Sequence, residues 1–193
     1  MELPHCVKEV VLTGHGLTLD SFIAVARFGA RVRVSDEAMQ AMIQSRELAE
    51  RISREKRVAY GITTGFGDFA NVAVPEEMSA RLSTNLILSH AVGTGDPYSD
   101  EQVRGMMLLR ANALCVGISG VRPLLVTMLA EMLNKGVTPV IPQKAPWAPP
   151  ATWRLCPTWA WFCWAGARQS IRAWNMREPR PWSWLESPCW IPW

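Results

Sequence analysis

Two short stretches hold side chains whose types and spacing can do chemistry. The first is "YGITTGFGDFANV", residues 60–72, where Tyr60 leads a run containing Gly61, Gly65 and Gly67. Glycine lets a backbone take conformations that other residues resist, so such a loop can carry a tyrosine into a cleft. A phenol titrates at roughly 10, and its phenolate is a strong base wherever a site lowers that value. The same pattern also fits an aromatic anchor that pins a turn. The second stretch is "STNLILSHAVGTGDP", residues 83–97, with His90 at the end of an apolar helical run and before a glycine-rich turn. An imidazole there can bind substrate, donate a proton, or satisfy the last helical carbonyls. Spacing alone leaves these roles open.

The elements that must position these residues follow from caps and periodicity. "CVKEVVL", residues 6–12, reads as a short strand, followed by a "TGHG" turn. Thr18 can cap a helix through "LDSFIAVARFG", with Gly29 just past its end. "RVRV" alternates and is expected as the partner strand in a small hairpin-like layer. Ser35 opens a long helix with Asp36 and Glu37 in its first turn, where the dipole favours negative charge. Met39, Met42, Ile43 and Leu48 recur along it near helical spacing, and it ends in "SREKR". Residues 58–75 lack helical periodicity and read as a loop. Pro75, Glu76 and Glu77 then start a further helix. "SDEQ", residues 99–102, is a capping-box pattern ahead of another helix. Pro123 begins one more, closed by Gly136. Residues 1–144 are therefore expected to form a mainly α domain with a thin strand layer near its start.

Composition changes abruptly at Lys144. All ten tryptophans follow Pro146, most of the prolines follow Lys144, and no lysine, aspartate or valine occurs after Lys144. Prolines that recur every few residues block both helix and central strand, so residues 145–193 are expected to be irregular, an aberrant tail rather than part of the domain. A Trp/Arg-rich membrane-active segment is the alternative for that tail. Acidic and basic residues balance before Ala145, and the net charge of +3 belongs to the tail. No basic stripe tracks a phosphate backbone, so a nucleic-acid partner is not expected. No window approaches the ~18 apolar residues of a membrane span, and no signal-peptide pattern opens the chain. The five cysteines match no zinc or redox spacing, so no metal site is expected and reduced thiols in a cytoplasmic protein are the simplest reading.

Taken together, "YGITTGFG", "NLILSHAVGTG", "LLRANALCVGISGVRP" and "GVTPVIPQK" occur in one order and spacing. In these the chain resembles the aromatic amino acid ammonia-lyases, and most of all their histidine-specific members. The resemblance spans residues 7–144. Ser89-His90 is the informative pair, because histidine-specific members carry Ser-His there. The resemblance implies the amino-terminal part of a fumarase/aspartase-like helical fold and elimination of ammonia from L-histidine to give urocanate. It implies a homotetramer, whose assembly by this chain is in doubt, and no external cofactor. The electrophile would be a methylidene-imidazolone ring formed from an internal Ala-Ser-Gly. Tyr60 would match the loop tyrosine that takes part in acid–base steps, and His90 a residue near the substrate imidazole. A tyrosine or phenylalanine lyase, an aminomutase, and a non-catalytic helical fragment remain alternatives.

After "PQK" the family continues with a short linker and then G-A-S-G-D-L-A-P-L, whereas this chain has "APWAPPATWRLCP" and no Ala-Ser-Gly anywhere. The genetic code connects the two. When the codons from Ala145 onward are read from each third base, Ala-Pro-Trp-Ala becomes a small residue, then Leu, Met or Val, then a forced glycine. The triplets drawn from residues 148–153 then permit Ala, Ser, Gly, Asp and Leu in that order. Through Thr158 the shifted frame accommodates S-L-G-A-S-G-D-L-A-P-L-S-H. Tryptophan has the single codon TGG, so codons ending in TG before a G become tryptophan on shifting. One base lost near the Lys144 codon, in the gene or its recorded sequence, accounts for the tail.

Overall fold

A computed structural model describes residues 3–60, 62–65, 78, 81, 85 and 94–144. The chain divides into two compact units. The first comprises Met1–Arg57 and Tyr98–Val140, the second Val58–Pro97 and Ile141–Trp193.

The first unit begins with a 3-10 turn at Pro4–Cys6 and strand β1, Glu9–Leu12. Along β1 burial alternates, with Val10 and Leu12 inward and Glu9 and Val11 outward, as a strand with one solvated face requires. Helix α1, Leu19–Ala26, follows, and the Thr18 side chain accepts from the Ser21 N–H at its start. Strand β2, Arg31–Val34, then pairs with β1, Val10 opposite Val32 and Leu12 opposite Val34. The pairing is parallel, which corrects the expected hairpin-like layer. A hairpin reverses direction within a few residues, whereas the segment between β1 and β2 contains a whole helix and returns the chain to its starting end.

Helix α2, Asp36–Arg54, opens on Ser35, whose hydroxyl accepts from the Ala38 N–H at 3.1 Å. Its inward face is Ala38 and Met42, while Leu48, expected on that face, is exposed. Helix α3, Asp100–Cys115, starts in the anticipated capping box: the Gln102 N–H reaches the Ser99 hydroxyl and the Gln102 carboxamide oxygen takes the Ser99 N–H. Val103, Met107, Ala111 and Leu114 line its buried stripe at helical spacing. Helix α4, Pro123–Lys135, starts on a proline with no side-chain cap. It ends at Gly136, whose φ is +68°, with the Val137 N–H returning to the Met132 carbonyl. The core lies where α1, α3 and α4 meet the inward face of the sheet: Leu12, Val25, Met107, Leu108 and Val126 are wholly or almost wholly buried.

In the second unit, strands β3, Thr94–Pro97, and β4, Pro142–Lys144, form an antiparallel pair. Neither strand is signalled by alternation in the sequence. The helix expected from Pro75 lies largely outside the described residues, within which Met78, Arg81 and Asn85 are helical. The tail from Ala145 also lies outside them. Among the described residues no helix is long and apolar enough to cross a membrane.

Candidate functional site

Tyr60 follows the end of α2 in the chain. Lys56 takes a left-handed conformation, φ 53°, the one such non-glycine among the described residues. The Arg57 N–H reaches back to the Ile52 carbonyl, which closes the helix. Beyond it the Ala59 carbonyl accepts from the Ile62 and Thr63 N–H groups, at 3.1 and 3.0 Å. The Thr63 hydroxyl accepts from the Ala59 N–H at 2.9 Å. These bonds close a tight turn with Tyr60 at its crest, and the tyrosine is 65% exposed. Thr64 and Gly65 are buried just behind it, the Thr64 hydroxyl donating to the Gly65 carbonyl. The turn thus holds Tyr60 at an exposed crest on a braced base.

Of the other anticipated site residues, Gly61, Gly67 and His90 lie outside the described residues. His90 stands four positions before Thr94, the first residue of β3. On the opposite strand the Gln143 side chain donates to the Pro97 carbonyl at 3.2 Å. This contact joins residues 46 positions apart, and no local pattern signals it.

No group of three or more His, Cys, Asp or Glu among the described residues could hold a metal ion. Cys6 is exposed and Cys115 buried, and both are free thiols. Burial pushes the Cys115 thiol up to about 11. A thiol held neutral in this way is a packing group, not a nucleophile.

Residues 17–145 match the aromatic amino acid lyase family. The histidine ammonia-lyase of Alkaliphilus metalliredigens is 49% identical over 138 residues, covering 72% of this chain and 27% of that protein. Among solved structures, histidine ammonia-lyase from Trypanosoma cruzi superposes with a TM-score of 0.65 at 35% identity, over 72% of this chain and 26% of that one. Tyrosine aminomutase from Streptomyces globisporus superposes with a TM-score of 0.68, also at 35% identity and with the same coverage. The chain belongs to the aromatic amino acid lyase family. It spans about a quarter of the length of the curated relatives it matches.

The electrophile that the resemblance implies would be formed from Ala-Ser-Gly. The residues after Lys144 begin Ala145-Pro146-Trp147, and the tripeptide is nowhere in the chain, so the ring does not fit this sequence as written.

Proposed function

We propose that residues 1–144 are the amino-terminal portion of a histidine ammonia-lyase, and that residues 145–193 are the same message read out of frame. The observation that carries the substrate is Ser89-His90, set within a segment 49% identical to a histidine ammonia-lyase. In a complete protein Tyr60 serves acid–base steps on the amino acid, and His90 faces its imidazole. The β-hydrogen that must leave is a poor acid, so the reaction needs a positioned base and exclusion of water. Water reaches the Tyr60 ring in this chain. The cover it needs comes from the three-quarters of the relatives' length that this chain does not match, in keeping with a homotetrameric cytoplasmic enzyme. The chain as written is inactive.

The shifted frame supports this reading beyond Thr158. Trp159-Ala160 forces glycine, Trp161-Phe162 forces valine, and Phe162-Cys163 and Cys163-Trp164 both force leucine. Trp164-Ala165 forces another glycine. An apolar run, [LMV]-G-[LMV]-V-L-L-G, replaces three of the ten tryptophans and their neighbours. No position through Trp193 forces a stop.

The test follows urocanate absorbance with histidine for the chain as written and for a frame-restored full-length protein. Turnover is expected only in the restored protein, and deamination of histidine by purified Met1–Trp193 refutes the reading. A second substrate reading has its own support, since a tyrosine aminomutase superposes as well as a histidine ammonia-lyase does. His90→Leu in the restored protein separates the two. Histidine turnover should fall sharply relative to tyrosine turnover, and an unchanged ratio favours the aminomutase side.

A further inference from the structure

Ala59 is the residue from which Tyr60 departs. Its carbonyl belongs to the planar peptide unit that also holds the Tyr60 nitrogen and Cα, so whatever fixes that plane fixes where the tyrosine begins. Both polar groups of the Ala59 main chain are held from the far side of the turn. The carbonyl accepts from the Ile62 and Thr63 N–H groups. The Ala59 N–H donates to the Thr63 hydroxyl at 2.9 Å, and the same hydroxyl oxygen stands 3.5 Å from the Ala59 carbonyl oxygen. Thr63 thus meets Ala59 with main chain and side chain together, much as the Gln102 carboxamide takes the Ser99 N–H at the start of α3.

Side-chain burial contributes little to the crest itself. Val58 and Ile62, on either side of Tyr60, are 82% and 40% exposed, and burial resumes only at Thr64 and Gly65. A turn whose side chains face solvent takes its shape from its hydrogen bonds, so the loss of one is felt there first. At the surface water replaces a lost hydroxyl as a partner, so stability changes little while the geometry loosens. Geometry is what a proton-transferring group needs: a displacement of about 1 Å can cost roughly a hundredfold in rate. We infer that Thr63 is the positioning residue of Tyr60. Its hydroxyl fixes the Ala59 peptide, and the peptide fixes the tyrosine. This rests on the reading of Tyr60 as the acid–base residue of a histidine ammonia-lyase.

Two variants test it: Thr63→Val keeps the branched shape and removes the hydroxyl, and Thr63→Ser keeps the hydroxyl. In Met1–Trp193 the Ala59 amide is expected to exchange about fivefold faster in Thr63→Val and at the parent rate in Thr63→Ser. In the frame-restored full-length protein, Thr63→Val should lower kcat about tenfold or more, with KM and melting temperature nearly unchanged. Thr63→Ser should recover most of that loss. The loss should vanish when Thr63→Val is made in a Tyr60→Phe background, because a residue that acts through the phenol has nothing to position once the phenol is gone. Unchanged exchange of the Ala59 amide overturns the inference whatever the activity. So does an active restored parent whose kcat Thr63→Val matches, a Thr63→Ser as slow as Thr63→Val, or a full loss that persists beside Tyr60→Phe. A restored parent with no histidine turnover, or one that Tyr60→Phe leaves unimpaired, counts against the function reading itself, while the exchange result still decides whether Thr63 holds the turn.

Discussion

Asn134 meets Val32 with both halves of its carboxamide. Its oxygen accepts the Val32 N–H at 2.7 Å and its nitrogen donates to the Val32 carbonyl at 2.9 Å. A two-stranded sheet leaves each strand one open edge, and this side chain takes the place of a third strand at β2. Asn134→Ala leaves both backbone groups without these partners and should cost about 1–3 kcal/mol, read as a lower denaturant midpoint. Asn134→Asp should not rescue it, because a carboxylate accepts the N–H but faces the carbonyl with no donor. Cys115 makes a prediction of a different kind. It is 1% exposed, and burial raises its thiol from the ordinary 9.0 to about 11. Between those values the unfolded chain gives up the proton while the folded chain keeps it. The contribution is therefore fully present below 9.0 and is lost as pH rises toward about 11. The loss amounts to about 3 kcal/mol across the window. Cys115→Ala should make the fall of stability across that window shallower, and equal slopes in the two proteins would rule the thiol out as the cause.

Between elements, α1 and α3 come close enough that Gly105 has no room for a side chain. A Cβ there would lie 2.5 Å from Phe22 Cζ and 3.0 Å from Cε2. Gly105→Ala should therefore cost about 1–3 kcal/mol through overpacking, despite the better helix propensity of alanine. Pairing it with Phe22→Leu should recover part of the loss, so a double-mutant cycle reads the contact directly, and strictly additive effects would argue against it. Arg104 links the same helices. It donates to the Val25 carbonyl in the last turn of α1 and to the Leu133 carbonyl in the last turn of α4, where helix dipoles favour a cation. Partial burial lowers the Arg104 pKa, partly offset by Asp100, and the two carbonyls satisfy the half-buried guanidinium. These contacts mark the limit of what a sequence discloses. The caps at Thr18, Ser35 and Ser99 and the stop at Gly136 were legible, because cap and helix are neighbours along the chain. Glycine at 105, the Asn134 clasp and the parallel sense of β1 and β2 were not, since each depends on a partner distant in sequence. The same holds at the site. Tyr60 and its glycines are readable as a motif, but the hydrogen bond from Gln143 to the Pro97 carbonyl joins residues 46 positions apart and is not.

Across the whole molecule, a chain that folds by family rules up to Lys144 abandons the family's residues one position later. Two physical accounts compete. If the tail is a selected sequence, its tryptophans should serve a surface or a core, yet they follow neither helical nor strand periodicity. If the tail is a shifted reading, tryptophan marks each place where a codon ending in TG meets a G, and the hidden frame should be rich in Leu, Met, Val and Gly. The forced residues Gly, Val, Leu, Leu and Gly after Thr158 agree with the second account. The two accounts also predict different peptides from the protein isolated from its own cells. Trypsin cuts after Lys144 and Arg154, so the tail as written yields "APWAPPATWR". The restored frame has no such peptide; in its place stands one beginning with a glycine-rich linker and running through Ala-Ser-Gly. Mass spectrometry is expected to find the restored peptide and to lack the tryptophan-bearing one. The protein's tryptophan emission should be correspondingly weak, because every tryptophan of the written chain lies in the shifted segment. Recovery of "APWAPPATWR" from the native source, with no restored peptide beside it, would establish the tail as genuine and leave a lyase beginning joined to something else.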